Sequence, residues 1–164
     1  MTSAPRTAAL DDAAAVELWG RVIKGFQVTN RELHDAIKAA FSLNEAETET
    51  LLNLQRHPEH RVPMAKLARA AAFTTGGFTK IADRLAGRGL VVRVPCVDDR
   101  RVTFLELTPA GDELAAELSS LAADVNRSRF IDVLGPERAR LVAEAMTELY
   151  RANSERGRGE PPRM

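Results

Sequence analysis

Apolar positions early in the chain follow a helical period. Val16, Trp19, Ile23, Phe26, Leu33, Ile37 and Phe41, with Asn30 in the same row, are spaced by threes and fours, which places them on one stripe of a helix. The spacing predicts a helix over residues 10–41. At 1.5 Å per residue such a helix is about 45 Å long, longer than a single small core needs, so the stripe calls for a partner helix. Asn30 interrupts it, and a polar residue in such a seam fixes register or faces a cavity.

The pattern then shortens. Ser42 opens S-L-N-E, an N-cap with Glu45 three residues later in capping-box spacing, and Asn44 is an equally suitable cap. A helix over about 45–55 follows, with Leu51, Leu52 and Leu54 inward. Pro58 and Pro63 bound a loop, and a short helix with Met64, Leu67 and Ala68 inward runs to about residue 71. Thr74 is a candidate cap for the next helix, about 75–87, and Gly89 is suited to ending it. LVVRV and RVTFLEL alternate as two strands of a hairpin joined by PCVDDR. Thr108-Pro109 starts a further helix carrying Leu114, Leu118, Leu121 and Val125. Gly135-Pro136 breaks the chain before a last helix, about 136–152, with Leu141, Val142, Ala145 and Leu149 on one face. The tail SERGRGEPPRM has no apolar anchor and reads as flexible.

Composition narrows the class. With 164 residues, many Ala and Leu, and one Trp and one Tyr, the chain is a helix-rich protein of about one domain. It lacks any run of eighteen apolar residues, so no membrane span is expected, and its first twenty residues lack the pattern of a signal peptide. A single cysteine, Cys96, excludes an internal disulfide framework and fits a reducing cytoplasm. Net charge is zero but unevenly placed: residues 56–101 carry ten basic and four acidic side chains, while each flank has three more acids than bases. A basic centre between acidic flanks suits contact with a polyanion.

Helix, short connection, helix and hairpin is the order of a winged helix-turn-helix, whose second helix enters the major groove of DNA. Phe78, Ile81, Ala82 and Leu85 occupy one face of that helix and leave Gly76, Thr79, Lys80 and Asp83 on the other, with Gly77 and Arg84 beside them. Gly76 and Gly77 each cost the helix about 1 kcal/mol relative to Ala, but they permit close approach of backbone to phosphate or base edge. Thr79 suits a phosphate or a base edge, and Lys80 and Arg84 suit phosphate or guanine. The hairpin tip presents Arg100 and Arg101 toward a minor groove, where arginine is favoured. Asp99 is placed to clamp one of them.

These residues carry a resemblance. Leu67-Ala68, Phe73-Thr74, Phe78-Thr79, Asp83-Arg84-Leu85, and above all RGLVVRVPCVDDRRVTFLELTPAG, with its GL-V-x-R, D-R-R and L-T-x-x-G spacing, resemble the MarR family of transcriptional regulators. Motif by motif the likeness covers about residues 43–115. It implies a mainly α fold with a small β-hairpin wing: a winged helix-turn-helix DNA-binding domain over 43–108, a helical dimerisation region from 10–41 and 109–152, and flexible tails at 1–9 and 153–164. It implies a cytoplasmic, nucleoid-associated homodimer on a pseudo-palindromic duplex operator, more often a repressor, frequently released by a small aromatic or phenolic ligand. Residues matching Thr74, Thr75, Gly76, Gly77, Thr79 and Lys80 would meet the major groove, and Asp99–Arg101 would form the wing tip, with Arg101 in the minor groove. Trp19, Phe26, Asn30 and His34 are candidates for a ligand pocket, although the aromatic residues suit a dimer core better.

Other chemistry is thin. A reactive Cys96 would make a redox-switched regulator, but an incidental small residue explains it as well. His57 and His60 are spaced H-x-x-H across Pro58, without further ligands that would suggest a metal. No nucleophile elbow, phosphate loop or carboxylate pair indicates an enzyme, and no cofactor or metal is expected. The remaining alternative is a winged-helix protein-interaction module that does not read DNA, against which the basic centre argues.

Overall fold

A computed structural model describes residues 11–70 and 75–156. The first helix, α1 (Asp12–Phe41), starts at Asp11, whose carboxylate accepts from the Ala14 N–H at 2.7 Å. It ends at Ser42 in the left-handed conformation (φ 54°), whose N–H donates to the Lys38 carbonyl. Ser42 therefore terminates α1 rather than capping the next helix. That cap is Asn44: its side chain accepts from the Glu47 N–H, and the Glu47 carboxylate accepts from the Asn44 N–H, each at 3.0 Å. The capping box thus closes with Glu47, not Glu45, because Asn44 is the residue in extended conformation with its third successor at the right distance.

After α2 (Glu45–Arg56) the chain makes a strand where the two prolines predict only a loop. This β1 (Arg61–Pro63) is followed by α3 (Met64–Ala70), α4 (Thr75–Gly87), β2 (Val91–Pro95) and β3 (Thr103–Leu107). The sheet has three strands in the order β1-β3-β2, all antiparallel, with Val62 opposite Leu105 and Arg93 opposite Leu105 on the other side. Three residues are too few to display a period of two, and Pro63 is tolerated because β1 is an edge strand. The expected two-stranded hairpin is thus the larger part of a small sheet.

Helix α4 ends in a Schellman turn. The Gly89 N–H reaches the Ala86 carbonyl and the Leu90 N–H the Leu85 carbonyl, with Gly89 at φ +70°. Helix α5 (Pro109–Asn126) starts at Thr108, whose hydroxyl accepts from the Gly111 N–H. It runs into a widened turn at Arg127–Ile131, then a short α6 (Asp132–Leu134), and Gly135 at φ +78° separates these from α7 (Pro136–Arg156).

One core joins the pieces. Phe78, Ile81, Ala82 and Leu85 of α4 are buried, as the pattern predicts, against Leu51, Leu54, Leu67, Ala68, Val91 and Leu105. Ile37 of α1 and Leu118 of α5 belong to the same cluster. The α1 stripe divides along its length. Leu33, Ile37 and Phe41 pack on this core, whereas Val16, Trp19 and Phe26 are exposed, as are Leu141, Met146 and Leu149 of α7.

Candidate nucleic-acid interface

The face of α4 opposite the core is the centre of the site. Burial of Phe78, Ile81 and Leu85 fixes the helix rotation, so Lys80, Asp83 and Arg84 are exposed and Gly77 and Thr79 are half-buried. Thr75 and Gly76 form the first residues of the helix, while Thr74 lies outside the described residues.

The wing is fastened to this helix by the arginine of the GL-V-x-R motif. Arg93, on β2, donates to the Thr79 carbonyl at 3.2 Å and reaches the Asp83 carboxylate at 2.8 Å. Thr79 and Asp83 are one turn apart on α4, and a single terminal nitrogen of Arg93, Nη2, meets both and sets the wing beside the helix face. The available signal was the pairing of an outward Asp83 with an arginine in GL-V-x-R.

At the wing tip the Cys96 N–H donates to the Val102 carbonyl, and the Val102 N–H to the Asp99 carbonyl, both at 2.9 Å. Asp99 accepts from the Arg101 backbone N–H at 3.0 Å and from its Nε at 3.4 Å. The turn is thereby ordered while the Arg101 side chain remains 93% exposed. Arg100 is exposed as well, and Cys96 is half-buried.

Arg84 is differently placed. Its Nε donates to Glu47 Oε1 at 2.6 Å, and the Glu47 side chain is only 7% exposed. Burial pushes the Glu47 carboxyl upward, but the Asn44 N–H, the Arg84 bond and the charges of Arg84 and Arg88 outweigh it and hold the group below its usual range. Arg84 therefore braces α4 against the start of α2. Among the described residues, Lys66, Arg69, Lys80 and Arg100 have no ion-pair partner, so the basic centre keeps cations for an external polyanion after the internal pairs are formed.

The candidate ligand residues are split. Trp19 and Phe26 are exposed, whereas Asn30 and His34 are half-buried, with His34 Nε2 3.7 Å from Glu45 Oε1. His60 pairs with Asp112 at 3.0 Å. Among the described residues no group of three His, Cys, Asp or Glu side chains is placed to hold a metal ion, and no helix is long and apolar enough to cross a membrane.

Comparison with known proteins matches this geometry. The MarR family profile matches residues 41–102, the span from the end of α1 through the wing tip. Over the whole chain the structure is similar to the MarR family regulator AbsC of Streptomyces coelicolor, at 26% identity and a TM-score of 0.77, covering 92% of this chain and 99% of that one. The structure of Sco3205, a MarR family regulator of the same organism in complex with DNA, has the same fold at 24% identity and a TM-score of 0.77, covering 90% and 91%. The Escherichia coli transcriptional repressor MprA is 32% identical over 79 residues, 48% of this chain and 45% of its own length. The MarR family profile thus lies on the winged lobe, residues 41–102, and the likeness to a MarR family transcriptional regulator extends over nearly the whole chain.

Proposed function

We propose that the protein is a homodimeric repressor that binds a pseudo-palindromic duplex operator and is released by a small aromatic ligand. The observation that carries the DNA reading is the clamp of Arg93 on Thr79 and Asp83, which holds a recognition helix exposing Lys80 beside a wing exposing Arg100 and Arg101. A helix in the major groove with a basic tip at the adjacent minor groove is what this arrangement fits. Thr74, Thr75, Gly76, Gly77, Thr79 and Lys80 then face the major groove, and Arg101 the minor groove. The DNA complex of Sco3205 and the repressor name of MprA support the same reading.

Unpartnered apolar surface supports dimerisation. Val16, Trp19 and Phe26 of α1, with Leu141, Met146 and Leu149 of α7, are exposed in the protomer, and a second copy covers such a surface. A ligand beside Asn30 and His34 releases DNA only by binding the DNA-free arrangement more tightly, which makes release a population shift. The chain works in the cytoplasm on this reading.

The test is selection of duplexes from a random pool by the full chain, followed by footprinting. Two half-sites about 10 base pairs apart are expected. Failure to enrich any sequence overturns the proposal.

A further inference from the structure

Three helix ends meet at one corner of the winged lobe: the C-terminus of α1, the N-terminus of α2 and the C-terminus of α4. Arg88 lies at their centre. One of its terminal nitrogens donates to the Phe41 carbonyl at 3.0 Å and the other to the Ser42 carbonyl at 3.3 Å. These carbonyls are those of the last residue of α1 and of its cap, at a helix end where acceptors are left unpaired and partial negative charge collects. Four residues earlier, Arg84 holds Glu47, which closes the capping box of α2. On the other side of Arg88, the Gly89 carbonyl accepts from the Thr108 hydroxyl at 2.6 Å, at the start of α5. The chain passes between the long helices and the lobe at residues 42–44 and again at 108, and the end of the recognition helix is bonded to both passes.

We propose that Arg88, seconded by the Arg84–Glu47 pair, is the joint that sets the angle of the recognition helix relative to α1. It is a positioning residue for operator binding that does not touch DNA. The inference rests on the regulator reading for its purpose, but its geometry is internal to one protomer. A rearrangement at the end of α1 reaches α4 through this fork as well as through the shared core, because the donor sits one residue beyond α4 and the acceptors are the last residue of α1 and its cap. Arg84 then contributes little to phosphate neutralisation.

The test measures the angle and the binding separately. Spin labels at Arg31→Cys and Lys80→Cys, in a Cys96→Ser background diluted with unlabelled chain, report the α1–α4 distance within a protomer. The parent should give one narrow distance, Arg88→Ala a broad distribution without that peak, and Arg88→Lys an intermediate one. Unchanged width in both variants overturns the joint. On a duplex selected by the unlabelled parent chain, Arg88→Ala should bind about tenfold more weakly with the same dependence on salt. A salt slope lower by about one would make Arg88 a phosphate contact and also overturn the joint. If the parent chain selects no duplex while Arg88→Ala still broadens the distance, the regulator reading falls and the joint stands. Because Arg88→Lys keeps the charge and one bond, it carries the distance test if Arg88→Ala does not fold.

Discussion

Arg93 and Arg101 stand on the same hairpin, yet their surroundings give them different roles. Arg93 is bound to Thr79 and Asp83, whereas Arg101 is tied only to Asp99 through an exposed contact, a kind worth about 0–1 kcal/mol. Arg101 can therefore leave Asp99 for phosphate at little cost. Arg101→Ala should weaken duplex binding and lower the salt slope by about one, while Arg151→Ala on α7 should change neither; equal effects would remove the wing assignment. Glu47 supplies a pH test. Its folded-state pKa is depressed, so its stabilisation is present above the ordinary value of 4.5 and is lost as pH falls through the lower folded value. Glu47→Gln should destabilise the fold by about 1–2 kcal/mol at pH 7, and denaturant titrations should show this gap closing below pH 4.5. A gap that persists in acid would mean that the charge is not what matters. Arg93 stands in the GL-V-x-R motif, but its bond to Thr79, like that of Glu47 to Arg84, joins residues 14 and 37 positions apart, beyond any local period.

At the level of the elements, helices were legible wherever burial imposed a stripe. The four inward residues of α4 are all buried, and Thr108 caps α5 as its Thr-Pro signature predicts. What escaped notice was short or set by three-dimensional neighbours: β1, with three residues, and the choice of Asn44 over Ser42, which depends on Ser42 turning left-handed to end α1. The L-T-x-x-G motif shows how a recognisable pattern acquires a physical reason only in the fold. A Cβ on Gly111 would lie 1.9 Å from the Leu90 carbonyl oxygen, and that oxygen also accepts from the Thr108 N–H. Helix propensity favours Gly111→Ala by about 1 kcal/mol, but the clash is with backbone and cannot relax by a rotamer change. The variant should lose about 1–3 kcal/mol in thermal or denaturant unfolding, and a stabilised variant would show that the β2–α5 junction is looser than described.

Over the whole molecule, the heptad-like stripe of α1 was read correctly as one helix, but not as two surfaces. Its C-terminal half serves the protomer core, while Val16, Trp19 and Phe26 at the other end remain exposed. Pattern alone could not divide it, since both halves obey the same period. The proposed dimer predicts that Phe26→Asp combined with Leu149→Asp yields a folded monomer in sedimentation experiments, with operator binding lost along with the second half-site. A dimer surviving both changes would place the interface elsewhere. The pairing of basic residues within the lobe also corrects an impression from composition, because part of the positive charge of residues 56–101 is neutralised by Glu47, Asp83 and Asp99. The most direct test of the DNA-binding reading is the affinity of the full chain for a selected duplex measured between about 50 and 200 mM salt. Lys80, Arg100, Arg101 and their counterparts in a second copy predict a log–log slope of several units, about 0.9 for each phosphate neutralised. Binding that is absent, or that does not weaken as salt rises, would contradict it.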